Sequence, residues 1–440
     1  MDVHSKPTKR IAVIGAGISG LSAAWLLSSR YEVTLFEAGT YLGGHTNTVD
    51  VTLEGQTHPV DTGFLVFNEK TYPNLIAMFA HLGVNSVETE MSFAVSLETP
   101  RLEWAGSNVA TLFGQKRNLI RPAFWRMLSD ILRFNRESAT WLIKHPEDEQ
   151  SLRTFLEHGN YSSAFSDWYL LPMAAAIWSC PTGQMLDMPL ATFIRFCNNH
   201  GLLQVFNRPM WRTVVGGGRD YVTKIAAQLA DVRLNCPVRT ITREPGGLRV
   251  THAAGSELFD QAVLACHSDQ ALAILGNTAN ESQRRLLSAI RYQHNRAVLH
   301  TDPALLPRDP KLWSAWNYFA GEGEPGMQAV GVSYLINKLQ PLPFASPVIV
   351  TLNPTHEPAP AKIIRQFDYA HPIFDGPAIA AQKELATVQG QGGIWLAGAW
   401  GSYGFHEDGL KSGLRVANGL GVKAPWQGGA RDTSAPVKAA

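Results

Sequence analysis

At 440 residues the chain is long enough for two interleaved domains with a sizeable core, and 45% hydrophobic with 17% charged residues describes an ordinary globular protein. A net charge of +1 argues against a general nucleic-acid binder, because no basic field covers the whole molecule. Four widely spaced cysteines (Cys180, Cys197, Cys236 and Cys266), with no C-x-x-C, exclude a disulfide scaffold and a cysteine-type zinc site; a reducing compartment is expected, and no metal.

The N-terminal MDVHSKPTKR leads straight into an apolar run, leaving no room for a signal peptide. The run Ile11 to Ile14 predicts a buried parallel strand. Gly15, Gly17 and Gly20 then fit G-x-G-x-x-G, for a tight turn, close approach of a pyrophosphate and helix–strand packing respectively. A helix over Ser19 to Ser28 follows, its first N–H groups aimed at the phosphates. A second strand, Glu32 to Phe36, ends at Glu37, placed to hydrogen-bond a ribose hydroxyl. On these residues alone the dinucleotide is NAD or FAD.

Beyond Tyr72 this grammar stops. Pro73 to Leu82 reads as a helix, and Met91 to Trp104 as a hairpin. Pro122 to Lys144 reads as an amphipathic helix, with Phe124, Met127, Leu128, Ile131, Phe134, Trp141 and Leu142 on one side. Arg126, Ser129, Arg133, Arg136, Glu137, Thr140 and Lys144 lie on the other. Residues 116–144 hold seven basic residues against Asp130 and Glu137, which suits either peripheral contact with an anionic membrane or a helix covering its own core. The longest uncharged apolar stretch, Leu170 to Cys180, is too short to span a bilayer. The expected location is therefore cytoplasmic, with contact at the inner face of the membrane as an option. Ala174 to Cys197 lines a cavity or packs a core.

The dinucleotide pattern resumes after Pro209, with a glycine turn at Gly216 to Gly218, a strand carrying Val238 and Ile241, a hairpin at Gly246-Gly247, and a buried strand over Gln261 to Cys266. LWSAWNYFA (Leu312 to Ala320) and VSYLINKLQ (Val332 to Gln340) predict further strands. A last motif, IWLAGAWGSYGFHEDGLKSGLRVANGL, predicts a strand over Ile394 to Ala397 and a helix over Gly409 to Leu420. The final twenty residues are small and polar, and disorder is expected there.

The stretch after Glu37, Ala-Gly-Thr-Tyr-Leu-Gly-Gly-His45, resembles the flavin amine oxidase superfamily, as do Asp61-Thr-Gly63 and the closing motif. The resemblance implies FAD, held non-covalently. The first turn would give Gly15, Gly17, Ile18, Ser19 and Gly20, then Glu37, Ala38, Gly43, Gly44, His45, Thr62, Gly63 and Phe64. Val238 would meet the adenine through its backbone, and Gly398, Ala399, Asp408, Gly409, Leu410 and Ser412 would approach the flavin. Two departures stand out: His45 replaces the usual Arg, and Gly398-Ala399-Trp400 replaces a Gly-Glu pair. The string from Tyr403 to Gly409 resembles a narrower branch, the FAD-binding oxidoreductases associated with cyclopropane fatty-acid synthases.

The resulting expectation is an α/β protein. A Rossmann-type FAD-binding domain (8–72, 209–267 and 385–420) is interleaved with an α+β substrate domain (73–208 and 268–384), ahead of a tail at 421–440. The branch implies desaturation of a methylated, unsaturated acyl chain of a membrane lipid, and a lipid methyltransferase as partner. Alternatives are a soluble flavin amine oxidase and an FAD-stabilised, non-catalytic partner of a lipid-modifying enzyme. His406, as acid–base group, and Tyr403, orienting substrate, are the catalytic candidates.

Overall fold

Apolar runs without alternation become strands covered on both faces, and Arg10–Ile14 lies at the centre of a five-stranded parallel sheet. Its order is Asp231–Arg233, Glu32–Phe36, Arg10–Ile14, Gln261–Leu264 and Ile394–Leu396. Three distant stretches of sequence therefore meet in one sheet. The computed structural model describes residues 9–145, 150–178, 182–204, 209–321 and 330–427, so Cys180 lies outside the described residues. The helix Ile18–Leu27 is apolar nearly all round and buried at every position, as a helix enclosed on all sides must be. It packs between the sheet and the closing helix His406–Gly419.

The second layer is a seven-stranded mixed sheet in the order Ile363–Pro372, Tyr292–His300, Ile349–Leu352, Val330–Leu335, Trp316–Ala320, Phe93–Leu97 and Leu102–Ala105. The last two strands form the expected antiparallel hairpin. Helices Pro122–Lys144, Leu152–His158, Leu171–Trp178 and Leu190–Asn199 gather around Phe134, Phe165, Phe193 and Phe196 in a core of their own. No helix among the described residues is long and apolar enough to cross a membrane.

Several expectations need correction. VSYLINKLQ is strand only to Leu335; Ile336–Leu339 turns into one helical turn, tied by Gln340 N–H to the Ile336 carbonyl. The closing helix begins at His406, three residues before the expected start, so His406 is its first residue and not part of a loop. Segments 268–290 and 376–384, assigned from sequence to the substrate domain, bury Ala271, Leu275, Leu287 and Ala378 against Phe36, Leu264 and Ile394 of the parallel-sheet side. The start of the expected tail is docked as well. Ala424 is buried, and Trp426 stacks on Trp25 with ring centroids 6.1 Å apart. Residues 428–440 of that tail lie outside the described residues.

Candidate functional site: a cavity spanning both sheets

The first turn is shaped by what its glycines touch. A Cβ on Gly20 would stand 1.8 Å from the Gly15 carbonyl oxygen, so any side chain there forces the helix off the strand. A Cβ on Gly17 would meet nothing within 4 Å, because Gly17 faces a cavity of about 1100 Å³. That volume is just above the ~300–1,000 Å³ usual for small-molecule sites. Such a space suits a long cofactor and a substrate together.

Gly15, Gly17, Ile18, Ser19, Glu37, Ala38, Gly43, Gly44, His45, Thr62, Gly63, Phe64 and Val238 all line it. The Gly-Gly pair is stitched to the first turn by Gly43 N–H donating to the Ala16 carbonyl at 2.8 Å. Glu37 accepts from Ala16 N–H at 2.8 Å and Gly39 N–H at 2.7 Å. A carboxylate has about four lone-pair sites, so two remain for ribose hydroxyls. At the far end a bulge between Val238 and Thr240 interrupts the β-ladder beside the cavity.

His45 is half-buried, and its Nε2, which is shielded from solvent, has no hydrogen-bond partner among the described residues. It stacks on Tyr369 at 5.0 Å, with His371 at 5.2 Å and His267 at 6.4 Å. Burial first, and then the neighbouring histidines, hold its imidazole neutral, well below the ordinary 6.5; burial likewise takes His371 down to about 4. An unpaired, buried nitrogen beside the open Gly17 face is the observation that a phosphate-bearing dinucleotide best explains. The residues present fit FAD, which would be held by the first turn, Glu37 and the Gly43-Gly44-His45 segment.

In the closing motif, Gly398, Ala399, Tyr403 and His406 line the cavity, but Asp408, Gly409, Leu410 and Ser412 do not. They lie behind the wall for a packing reason. A Cβ on Gly409 would come within 2.6 Å of Ile18 Cγ2, so this glycine lets the two helices cross closely. Ser412 Oγ accepts from Gly398 N–H and donates to the Gly409 carbonyl, and Asp408 accepts from Phe405 N–H as a helix cap. Gly20 likewise sits behind the wall. Glu407 caps a different helix, accepting from the N–H groups of Asn74 and Leu75 at the start of Pro73–Leu82.

His406 lies flat on Phe64, with ring centroids 3.8 Å apart, and its Nε2 is 2.8 Å from Tyr221 Oη. Burial lowers it to about 3. The near-neutral titration that suggested an acid–base role is therefore absent, and a neutral positioning role remains. Tyr403 packs near Phe196 at 5.8 Å, and burial pushes its phenol above the ordinary value.

The opposite half of the cavity is apolar, with Met91, Phe93, Trp104, Met173, Ile177, Trp178, Phe196, Trp316, Tyr334 and Phe374 among its wall residues. Ala176, Ile177, Trp178 and Phe196 come from the stretch that lined either a cavity or a core; Ala174, Phe193 and Cys197 pack the core, so it does both. Sequence reading missed Tyr369, His371, Trp316 and Phe374. No local motif marks them: Tyr369 and His371 share the strand Ile363–Pro372, while Trp316 and Phe374 come from elsewhere in the chain.

Fold and cavity define a flavin-dependent oxidoreductase with a dinucleotide sheet on one side and a substrate sheet on the other. The chain belongs to the family described as flavin containing amine oxidoreductase, whose family model matches residues 18–300. It is 26% identical over 285 residues to the carotenoid phi-ring synthase of Streptomyces griseus, a match taking in 59% of this chain and 52% of that protein. The chain thus spans about half the length of that curated relative. Among solved structures it is similar to a CLA-producing fatty acid isomerase from P. acnes, with TM-score 0.66, 15% identity, and coverage of 95% of this chain and 100% of that one. It is also similar to the cyclohexylamine oxidase of Brevibacterium oxydans IH-35A, with TM-score 0.66, 16% identity, and coverage of 94% and 99%. At such identities these two show the fold.

Proposed function

We propose that the chain binds FAD non-covalently and desaturates an acyl chain of a membrane lipid, at a carbon next to an existing double bond. The observation that carries this reading is the wall of the substrate half: apolar and aromatic, with Glu37, on the nucleotide side, the only carboxylate among the described lining residues. An amine arriving as a cation would meet no counter-charge there. When bound, the flavin supplies the acceptor for a hydride equivalent. The chain's own residues orient the substrate and exclude water, with Phe64 and His406 stacked at the junction of the two halves and Tyr403 on the wall.

An unactivated methylene is a poor hydride donor, and allylic delocalisation lowers the barrier; a methyl branch on the alkene lowers it further. A lipid methyltransferase is the partner that chemistry calls for. The resemblance of Tyr403 to Gly409 to the cyclopropane-synthase-associated branch supports the same substrate class. The amine-oxidase alternative needs an aromatic cage; Trp400 and Tyr403 both line the cavity, so it is the missing counter-charge, and not a lack of aromatic rings, that argues against it.

Anaerobic titration of the FAD-loaded protein distinguishes the readings. Bleaching of the flavin by a lipid extract, with a new double bond in the recovered acyl chains, is the expected result. Bleaching by amines alone transfers the assignment to an amine oxidase. No bleaching by either removes the catalytic reading.

A further inference from the structure

We propose that the outer face of the helix Pro122–Lys144, with the corner that precedes it, is a docking surface for an anionic lipid bilayer. The choice of a bilayer as occupant rests on the acyl-chain reading. The surface itself rests on separate observations.

The amphipathic pattern accounts for the inner face, where Phe124, Met127 and Phe134 are wholly buried. It does not account for Trp125, Leu132 and Ile143, which are 50%, 61% and 82% exposed. Steps of seven and eleven residues are close to whole turns, so the three lie within roughly 20° of one line along the helix. Leu119 and Ile120, at the corner just before the helix, are also exposed, Ile120 to 85%. Trp125 fixes the corner by donating its indole N–H to the Leu119 carbonyl at 2.9 Å. A 23-residue helix makes the face about 35 Å long.

The charge beside this line is one-sided. Lys116, Arg117, Arg126, Arg136 and Lys144 are exposed along it. The two acids of the segment are turned away. Asp130 is buried, accepting from Ser162 N–H and Oγ–H, and Glu137 accepts from Tyr161 Oη–H. Among the described residues Lys116, Arg117, Arg136 and Lys144 make no ion pair, while Arg126 approaches Asp130 at 3.4 Å. With a net charge of only +1 on the whole chain, this is a local concentration. Glu147, Asp148 and Glu149 end it in the sequence, outside the described residues.

Apolar side chains bordered by cations match the two attractions of a bilayer surface, acyl burial and anionic headgroups. Gly106, an exposed residue of the cavity lining, precedes the segment whose Phe113 packs on Trp125 with ring centroids 5.2 Å apart.

The test is co-sedimentation of FAD-loaded protein with vesicles of phosphatidylcholine alone, or of phosphatidylcholine with about one-third phosphatidylglycerol. No turnover is involved, so docking and the acyl-chain reading can fail separately. Binding to the anionic vesicles is expected to be at least about tenfold stronger than to the neutral ones, and to weaken at high salt. The triple variant Trp125→Ser, Leu132→Ser, Ile143→Ser loses that binding about tenfold or more while keeping its FAD, and so does the double variant Leu132→Ser, Ile143→Ser, which leaves the Trp125 corner intact. Arg136→Glu with Lys144→Glu abolishes the preference for anionic lipid. Absence of binding to anionic vesicles, or undiminished binding by the triple variant, overturns the proposal. A lipid-free dimer that the triple variant disperses overturns it too, assigning the face to a second copy of the chain.

Discussion

The two halves of the cavity are built by different means. The nucleotide half is made of backbone: what matters at Gly15, Gly17, Gly20, Gly43 and Gly44 is how closely main chain approaches main chain or ligand. The substrate half is made of side chains delivered one or two at a time by separate elements, Phe93 and Trp316 by strands and Ile177 and Phe196 by helices. A backbone requirement leaves a fixed local spacing of small residues. A side-chain wall needs only apolar bulk, which many sequences supply.

The sharpest test of this contrast lies inside the first turn. Gly20→Ala drives a Cβ into the Gly15 carbonyl, and we expect loss of soluble protein or destabilisation by more than about 3 kcal/mol, read by thermal melting. Gly17→Ala enters open space at φ −69°, a backbone any residue adopts, so the melting temperature of the FAD-free protein stays at the wild-type value. FAD affinity should nevertheless fall at least about tenfold, equivalent to ~1.4 kcal/mol. Unchanged affinity would move the pyrophosphate away from Gly17.

Glu37→Gln tests the same half more gently. It exchanges an acceptor for an N–H₂ group facing the Ala16 or Gly39 N–H, and we expect a fall in FAD affinity of about tenfold and a stability loss of ~1 kcal/mol.

The histidines that burial keeps neutral give a pH signature. His45, His200, His300, His371 and His406 are held down by burial, the last to about 3 and His200, His300 and His371 to about 4. Below pH 6.5 the unfolded chain therefore binds protons that the folded chain refuses, and stability falls as pH falls. Each such histidine costs roughly 1.4 kcal/mol per pH unit in that window. Asp61, pushed up to about 6 by burial, and Asp167 and Asp408, also raised, act in the opposite sense below pH 6, three groups against six once His267, likewise lowered by burial, is counted. The melting temperature of the FAD-free protein should drop between pH 7 and 5.5; a rise would contradict the buried, neutral assignment.

The smallest expected effect concerns His406→Gln. A side chain neutral down to about pH 3 gives no inflection near neutrality, so wild type and variant should share the shape of the kcat–pH profile between pH 6 and 8. An inflection lost in the variant would return His406 to acid–base catalysis.

Legibility followed the same divide. The helix starts at Pro73 and Pro122 were readable because proline is pre-shaped for a first turn, and both helices span the expected residues. The strand Glu32–Phe36 was readable from its apolar run. The turn at Ile336 was not, since VSYLINKLQ carries no glycine or proline to stop the strand at Leu335. Gly409 looked like a cofactor contact because a helix start after a glycine turn suits a ligand, but the atoms nearest to it are those of Ile18 and Ser19 in the helix Ile18–Leu27. The burial that neutralises His45 and His406 comes from residues far along the chain, Tyr369 and Tyr221 among them, and no window of sequence contains it.

The most direct test of the central claim, that the Gly17 face and the Glu37 end of the cavity seat a dinucleotide flavin, is a titration of FAD-free protein with FAD followed by fluorescence quenching. The account predicts saturable uptake of one FAD per chain, yellow protein after gel filtration, and release of the flavin on acid precipitation. Colourless protein with no quenching at any FAD concentration would contradict it.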